Sequence, residues 1–276
     1  MRTLERAGAR IGYEVAGEGP AVVLGHSLLC DGRMWDAVAP VLARRYRVIN
    51  IDARGHRAST WPGSPGSPGS PGPFTLDDLA EDWRAILDAE RVDRAALCGL
   101  SMGGMTAMRL ALAAPERVAA LALLDTSADA EAAVKRLQYR LLAEIFKAFG
   151  NLAGPLEAPL RRIMFGVSTR ADKPGVVARE LGRMREQDAR QIYHATRAVF
   201  DRPSIFGRLG AIRCPTLVMV GEEDVATPPD RARRIAGAIP GARLEVIPRA
   251  GHLTTVEQPE AVTAILLAFL ERAFSG

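Results

Sequence analysis

A chain of 276 residues, 48% hydrophobic and 25% charged, is long enough for one large α/β domain and too rich in apolar residues for wholesale disorder. The net charge is only +4; lysine stands at Lys135, Lys147 and Lys173 alone, the other 33 of the 36 basic residues being arginine. No block of like charge and no aromatic platform accompanies them, which argues against a nucleic-acid partner.

The first twenty residues predict a β-hairpin, with ARIGYEVAG alternating before a Gly-Glu-Gly-Pro turn. AVVLG (21–25) is a continuous apolar run of the kind buried in a parallel sheet, and RYRVINID (45–52) is another, followed by the turn ARGH. PGSPGSPGSPGP (62–73) has nothing to bury and predicts a flexible, solvent-exposed loop. LDDLAEDWRAILDAE (76–90) puts Leu76, Leu79, Ala80, Trp83, Ile86 and Leu87 on one helical face. AALCG (95–99) reads as a strand, MGGMTAMRLALAAP (102–115) as a helix stopped by proline, and VAALALLD (118–125) as a strand. Far downstream come the strand TLVMVG (216–221), the helix PDRARRIAGAI (229–239), the strand RLEVIP (243–248) and a closing helix over 257–273.

Strands and helices alternating with short connections imply a mostly parallel eight-stranded sheet with helices on both faces, an α/β fold. The interval 129–210 holds helical patterns and no strand. Residues 1–128 and 211–276 therefore form the core, and 129–210 is an all-helical insertion after the sixth strand. Such an insertion would sit over the carboxyl ends of the strands, where folds of this kind bind ligands, so it is a candidate lid.

Cys30, Cys98 and Cys214 are far apart and odd in number, which suggests neither a disulfide framework nor a zinc site. The N-terminal segment lacks the apolar core of a signal peptide, and the late run AILLAFL is too short to span a bilayer. The expected setting is the cytoplasm, with no membrane contact.

Two segments place a serine two residues after a glycine: GHSLL (25–29) and GLSMG (99–103). A nucleophile elbow needs a strand before the serine, a helix after it and glycine at both flanking positions, because larger side chains there would strike neighbouring strands. CGLSMGGM meets all three conditions and makes Ser101 the candidate nucleophile; the following helix aims its N-terminal amides at the reacting centre. GHSLL has Leu29 in the second flanking position and a loop after it, so Ser27 is poorly supported.

Of the four histidines, His252 lies between the last strand and the last helix, at the sheet edge where the elbow emerges, and fits the general base. His194 reads as a partly exposed helix residue, His56 as part of a turn, and His26 as a brace for its loop. Asp224, 28 residues before His252, is the candidate acid that orients it, with Asp125 the rival at another strand end. Glu222 and Glu223 fall in the tighter part of the turn.

Taken in order, VVLGHSLLCDGRMWD, NIDARGHRAS, LCGLSMGGM, CPTLVMVGEEDVATPP and AGHLTTVEQPEAV resemble the α/β-hydrolase superfamily from about residue 10 to the C-terminus. They look most like its bacterial 3-oxoadipate enol-lactonase, carboxylesterase and non-haem haloperoxidase group. The resemblance implies the α/β-hydrolase fold, and it implies that the backbone amides of Leu28 and Met102 form the oxyanion hole. His26-Ser27-Leu28 puts serine where the superfamily usually has glycine, and Arg57 replaces the last glycine of its RGHG.

The expected activity is a serine esterase or lactonase, with Ser101, Asp224 and His252 as triad. An apolar pocket is expected from Leu28, Met164, Phe165, Tyr193 and Phe200. The expected partner is a small-molecule ester or lactone; no cofactor or metal is implied, and a homodimer is compatible. Cofactor-free peracid formation would be a side activity of the same site. A lactonase with a specific acidic substrate, a carbon–carbon hydrolase or a thioesterase would use the same triad. A binding protein on this scaffold would instead predict a damaged one.

Overall fold

The structure is a computed structural model, and it describes residues 1–61, 73–149 and 157–275. The GSP-rich tract expected to loop over 62–73 lies outside the described residues except for Pro73. In chain order the elements are β1 (Arg2–Arg6), β2 (Ala9–Ala16), β3 (Ala21–Gly25), α1 (Ala39–Leu42), β4 (Arg47–Ile51), α2 (Leu76–Ala89), β5 (Ala95–Leu100), α3 (Met102–Ala113) and β6 (Val118–Leu124). The insertion follows as α4 (Ala133–Phe149), α5 (Glu157–Met164), α6 (Val167–Asp172), α7 (Pro174–Glu186) and α8 (Ala189–Phe200). The core resumes with β7 (Thr216–Gly221), α9 (Pro229–Ala238), β8 (Arg243–Ile247), α10 (Thr254–Glu257) and α11 (Pro259–Ser275).

One eight-stranded sheet carries the order β1-β2-β4-β3-β5-β6-β7-β8. The β1–β2 and β2–β4 pairs are antiparallel, and every later pair is parallel. Because strand side chains alternate between faces, each central strand feeds two cores. Val23, Leu97, Leu121 and Val218 pack with Trp83 and Ile86 of α2, Met105 and Met108 of α3 and Ile235 of α9. Val22, Leu24, Ala96, Cys98, Ala122 and Met219 pack on the other face with Trp35, Leu42 and the α11 residues Val262, Leu266 and Leu270. All six apolar positions expected on α2 are buried.

Thr75 begins α2 with a capping box: its hydroxyl accepts from Asp78 N–H at 3.2 Å, while the Asp78 carboxylate takes the Thr75 N–H at 2.8 Å. The closing helix expected over 257–273 divides at Gln258, because Pro259 has no N–H to continue α10 and instead starts α11. Among the described residues, no helix is long and apolar enough to cross a membrane.

Candidate active site

Gly25 and Gly99 are register partners on the parallel pair β3–β5, so the loops after them leave one sheet edge side by side. Ser101 stands between β5 and α3 with φ 53° and ψ −109°, a conformation that costs a non-glycine residue energy unless its surroundings impose it. Here they do. Ser101 N–H donates to Leu124 O at 2.8 Å, and Ser101 O accepts from the Thr126 hydroxyl at 2.7 Å. A Cβ on Gly103 would lie 2.4 Å from the Gly25 carbonyl oxygen, and one on Gly99 would lie 2.2 Å from the Gly103 carbonyl carbon. Both flanking positions thus exclude any side chain.

The GHSLL loop is held by different means. His26 Nε2 accepts the Ala53 N–H at 2.8 Å, so Nδ1 carries the proton and donates to Ser27 O, also at 2.8 Å. Both ring nitrogens are engaged, which makes His26 a brace. His26 O accepts the Gly103 N–H at 3.0 Å and ties this loop to the elbow. Leu29, not Ser27, takes the left-handed turn, at φ 68°. The N–H groups of Leu28 and Met102 have no acceptor among the described residues, although both residues are buried.

His252 Nδ1 lies 3.0 Å from Asp224 Oδ2 and 3.3 Å from Thr227 Oγ1. Asp224 also accepts the N–H groups of Ala226 (2.8 Å) and Thr227 (3.0 Å) and the Thr227 hydroxyl (2.7 Å). Burial works against the charge on Asp224, but His252 and these donors outweigh it and hold the carboxyl below its usual range. Burial likewise opposes an imidazolium at His252, yet Asp224, with smaller help from Asp125 and Glu257, raises its pKa above the ordinary histidine value. Ser101 and His252 line one cavity, with no direct hydrogen bond between them among the described residues.

Asp125 is not bonded to His252. Its carboxyl accepts the Gly221 N–H at 2.8 Å and the Thr254 hydroxyl, stitching the β7 end to the loop after His252. Burial and the nearby Asp224 charge push its pKa well above the carboxylate range. Glu223 and Glu257 have a role that no local pattern signals. Glu223 accepts the Ser168 N–H (2.9 Å) and hydroxyl, while Glu257 accepts the Gly166 N–H (2.8 Å) and the Leu253 N–H (3.0 Å). The α5–α6 junction is thereby fastened to the loop that carries Asp224 and to α10, which directly follows the His252 loop.

The cavity measures about 160 Å³ and is mostly apolar. Leu28, Met164 and Phe200 line it, joined by Met105, Leu142 and Tyr139, whose ring stacks on Phe200 at 3.7 Å. Two expected pocket residues lie elsewhere. Phe165 does not line the cavity and is fully buried in the cluster with Trp35, Val177 and Leu253, to which Met164 also belongs. Tyr193, seven residues before Phe200 and so on nearly the same face of α8, does not line the cavity; it borders a second cleft, and its hydroxyl donates to Glu144 of α4.

His194 is a further correction: it is only 7% exposed, because α8 is covered on its outer side by Trp61 and Phe74. His56 is buried against His26, with its pKa pushed down to about 3 chiefly by burial. One wall of the cavity is charged, since Glu131 accepts from both Arg202 and Arg231 at 2.8 Å. Among the described residues, no group of three or more His, Cys, Asp or Glu side chains is placed to hold a metal ion.

A family model described as the alpha/beta hydrolase fold matches residues 20–259. The chain is 28% identical over 273 residues to 3-oxoadipate enol-lactonase 2 of Acinetobacter baylyi, covering 98% of this chain and 96% of that one. It is also 28% identical over 265 residues to a putative carbamate hydrolase of Azorhizobium caulinodans, covering 93% of each. Among solved structures, a thermophilic esterase from Thermogutta terrifontis superposes with a TM-score of 0.89 at 30% identity, covering 98% of this chain and 97% of the esterase.

Proposed function

The chain belongs to the α/β-hydrolase family, and on that premise we propose that it is a serine hydrolase of small carboxylic esters or lactones. One observation carries the reading: the buried Asp224–His252 pair opens on the same cavity as Ser101, the residue held at the strained elbow. In the proposed reaction Ser101 Oγ adds to the substrate carbonyl carbon while His252 Nε2 takes the hydroxyl proton. Asp224 keeps the other ring nitrogen protonated and favours the imidazolium.

The unengaged amides of Leu28 and Met102 receive the negative charge on the former carbonyl oxygen; removing one such donor typically costs about a hundred- to a thousandfold in rate. The tetrahedral intermediate collapses, the C–O bond to the leaving group breaks, and His252 returns its proton to that oxygen. Water, deprotonated by the same imidazole, then attacks the acyl-enzyme and frees the acid and Ser101. No step calls for a cofactor. The partner is a small molecule with an apolar acyl or alcohol portion, since Leu28, Met105, Met164 and Phe200 form the walls.

Resemblance to the A. baylyi lactonase supports lactones, and resemblance to the Thermogutta esterase supports esters. The test is a panel of p-nitrophenyl esters of graded chain length, lactones, thioesters and carbamates, run on wild type and on Ser101→Ala. Turnover of esters or lactones that vanishes in Ser101→Ala is the expected result. Undiminished turnover in that variant would sink the mechanism, and turnover of thioesters or carbamates alone would move the substrate class.

A further inference from the structure

Helix α4 is apolar on two sides. Its inner side lines the cavity of Ser101 through Tyr139, Leu142 and Ala143. At about 100° per residue, Val134, Leu137, Leu141 and Ile145 fall within about 80° of one another on the nearly opposite side. These four are 47–70% exposed and make up half of the eight large apolar side chains exposed among the described residues. A surface helix ordinarily turns its polar side to water. A continuous aliphatic stripe about 16 Å long therefore marks a contact surface.

The charge around the stripe says what it contacts. Residues 129–210 hold 15 of the 36 Lys and Arg but only 9 of the 32 Asp and Glu, a net +6, which leaves −2 for the rest of a chain whose total is +4. The excess is concentrated beside the stripe. Helices α4 and α5 carry six basic side chains, Lys135, Arg136, Arg140, Lys147, Arg161 and Arg162, against the two acidic ones Glu144 and Glu157. Helix α5 borders the same cavity through Leu160 and Ile163, and its Arg161 and Arg162 are exposed. The ion pairs Arg140–Asp201 and Lys147–Glu144 join charges already counted within the insertion, so they leave its net charge as it is.

Two occupants fit less well. A second copy joined through α4 would set two positively charged helix pairs against each other. It would also bury only a few hundred Å² on each partner, where a stable interface needs roughly 800 Å². A protein partner would meet a stripe of aliphatic side chains alone, whereas the cores of protein interfaces favour aromatic ones. An aliphatic stripe with basic side chains above it is the arrangement of a helix that lies in the plane of an anionic lipid surface. Such a helix does not cross the bilayer, so the absence of a spanning helix among the described residues does not bear on it.

We propose that the outer side of α4 docks on an anionic lipid surface, with Val134, Leu137, Leu141 and Ile145 among the upper acyl chains and the basic side chains of α4 and α5 at the phosphates. Docking sets the lipid one helix away from the cavity of Ser101, but it does not depend on what Ser101 does. The experiment is flotation of the full chain with vesicles of phosphatidylcholine alone and of phosphatidylcholine with about 30% phosphatidylglycerol, which gives a negative surface. Partition is expected to be at least about tenfold stronger on the mixed vesicles and to fall at high salt, which screens the attraction.

Leu137→Gln combined with Leu141→Gln removes the middle of the stripe and is expected to weaken partition about a hundredfold. Should the double variant fold poorly by circular dichroism, Leu141→Gln alone is expected to weaken it about tenfold. Neither leucine lines the cavity, so turnover of a water-soluble ester should stay as in the wild type. Equal partition on the two kinds of vesicle, or none at a lipid concentration of about 1 mM, would overturn the proposal. Charge-dependent partition left unchanged by the leucine variants would assign the surface to acidic macromolecules and overturn it as well. So would a dimer, seen by light scattering, that the double variant abolishes.

Discussion

Ser27 and Ser101 each stand two residues past a glycine on neighbouring parallel strands, and Gly25 and Gly99 are paired in register. Yet the two turns are built in opposite ways. At the second, the serine itself takes positive φ and the backbone plunges into the twelve-residue helix α3, with no room for a Cβ at either flank. At the first, Leu29 takes positive φ, Met34 sulfur approaches the Ser27 N–H at 3.3 Å, and only a short 3₁₀ turn follows, at Gly32–Trp35. A shared motif on a shared edge therefore does not mean a shared task. The residue that bears the strain, Ser101, lines the cavity and attacks in the proposed reaction, whereas the other turn is assigned only the backbone amide of Leu28.

The sharpest way to break this contrast is to remove each hydroxyl. Ser101→Ala is expected to lower kcat by about 10⁵- to 10⁶-fold, as in other triads where the nucleophile is lost. Ser27→Ala, which leaves the Leu28 amide in place, should change kcat/KM by less than about tenfold. Comparable losses in the two variants would erase the distinction between the turns. A burst of p-nitrophenol at high enzyme concentration would separate acylation from release.

A parallel contrast divides the two buried aspartates. Asp224→Asn keeps the shape but leaves His252 without its anion and favours the wrong tautomer, so kcat should fall by about 10⁴-fold. Asp125 is already driven toward its neutral form by burial and by Asp224, and an amide imitates a neutral carboxyl. Asp125→Asn should therefore cost less than about tenfold in kcat while lowering the melting temperature, because one acceptor between Gly221 and Thr254 is lost. Steady-state kinetics of both variants, with thermal melts, decides it.

The sheet, and the gathering of Ser101, Asp224 and His252 at one edge of it, were legible because both depend on local signals. Parallel strands buried on both faces must be continuous apolar runs, and AVVLG, AALCG and TLVMVG carry this plainly. A strand end followed by Gly-x-Ser-x-Gly or by an isolated acid or histidine then marks the edge that carries the candidate site. The insertion was legible as helices but not as surfaces. Nothing local tells that Met164 faces the cavity and Phe165 does not, or that α8 is covered on both sides so that His194 is buried. Pairings across long separations were equally hidden. Arg54 and Asp82 form a buried two-pronged ion pair at 2.6 and 2.7 Å, and Glu257 reaches Gly166 across 91 residues.

The pH response sharpens the comparison between the acid and the base. The proposed reaction needs neutral His252, and its pKa is raised, so the acid limb of kcat/KM should lie above the ordinary histidine value of about 6.5. Stability runs the other way. A raised folded-state pKa stabilises the protein fully below the unfolded histidine value, and this contribution fades as pH rises through the folded one. Asp224, whose pKa is lowered, stabilises above the unfolded carboxylate value and ceases to as pH falls through its folded one. Activity and melting temperature measured from pH 5 to 9 (a range of about four units around the reference values) should therefore trend oppositely through the histidine limb. Parallel trends would mean that His252 is not the group titrating.

The smallest expected effect concerns Thr227, which no motif singled out. Its hydroxyl donates to Asp224 Oδ2 at 2.7 Å and lies 3.3 Å from His252 Nδ1, so it touches both partners of the pair. Thr227→Val removes this donor and leaves Asp224 with two backbone amides and the imidazole. One hydrogen bond to a charged acceptor contributes about 1.5–3 kcal/mol where nothing replaces it, but the remaining donors share the anion here. The expected loss is therefore about three- to tenfold in kcat, with KM nearly unchanged because the ester does not depend on Asp224 for binding. With one donor gone, the Asp224 charge is less delocalised and pairs more strongly with the imidazolium, so the acid limb should move upward. A loss confined to KM would place Thr227 in the cavity wall alone, and an unmoved acid limb would show that its hydroxyl does not tune the pair.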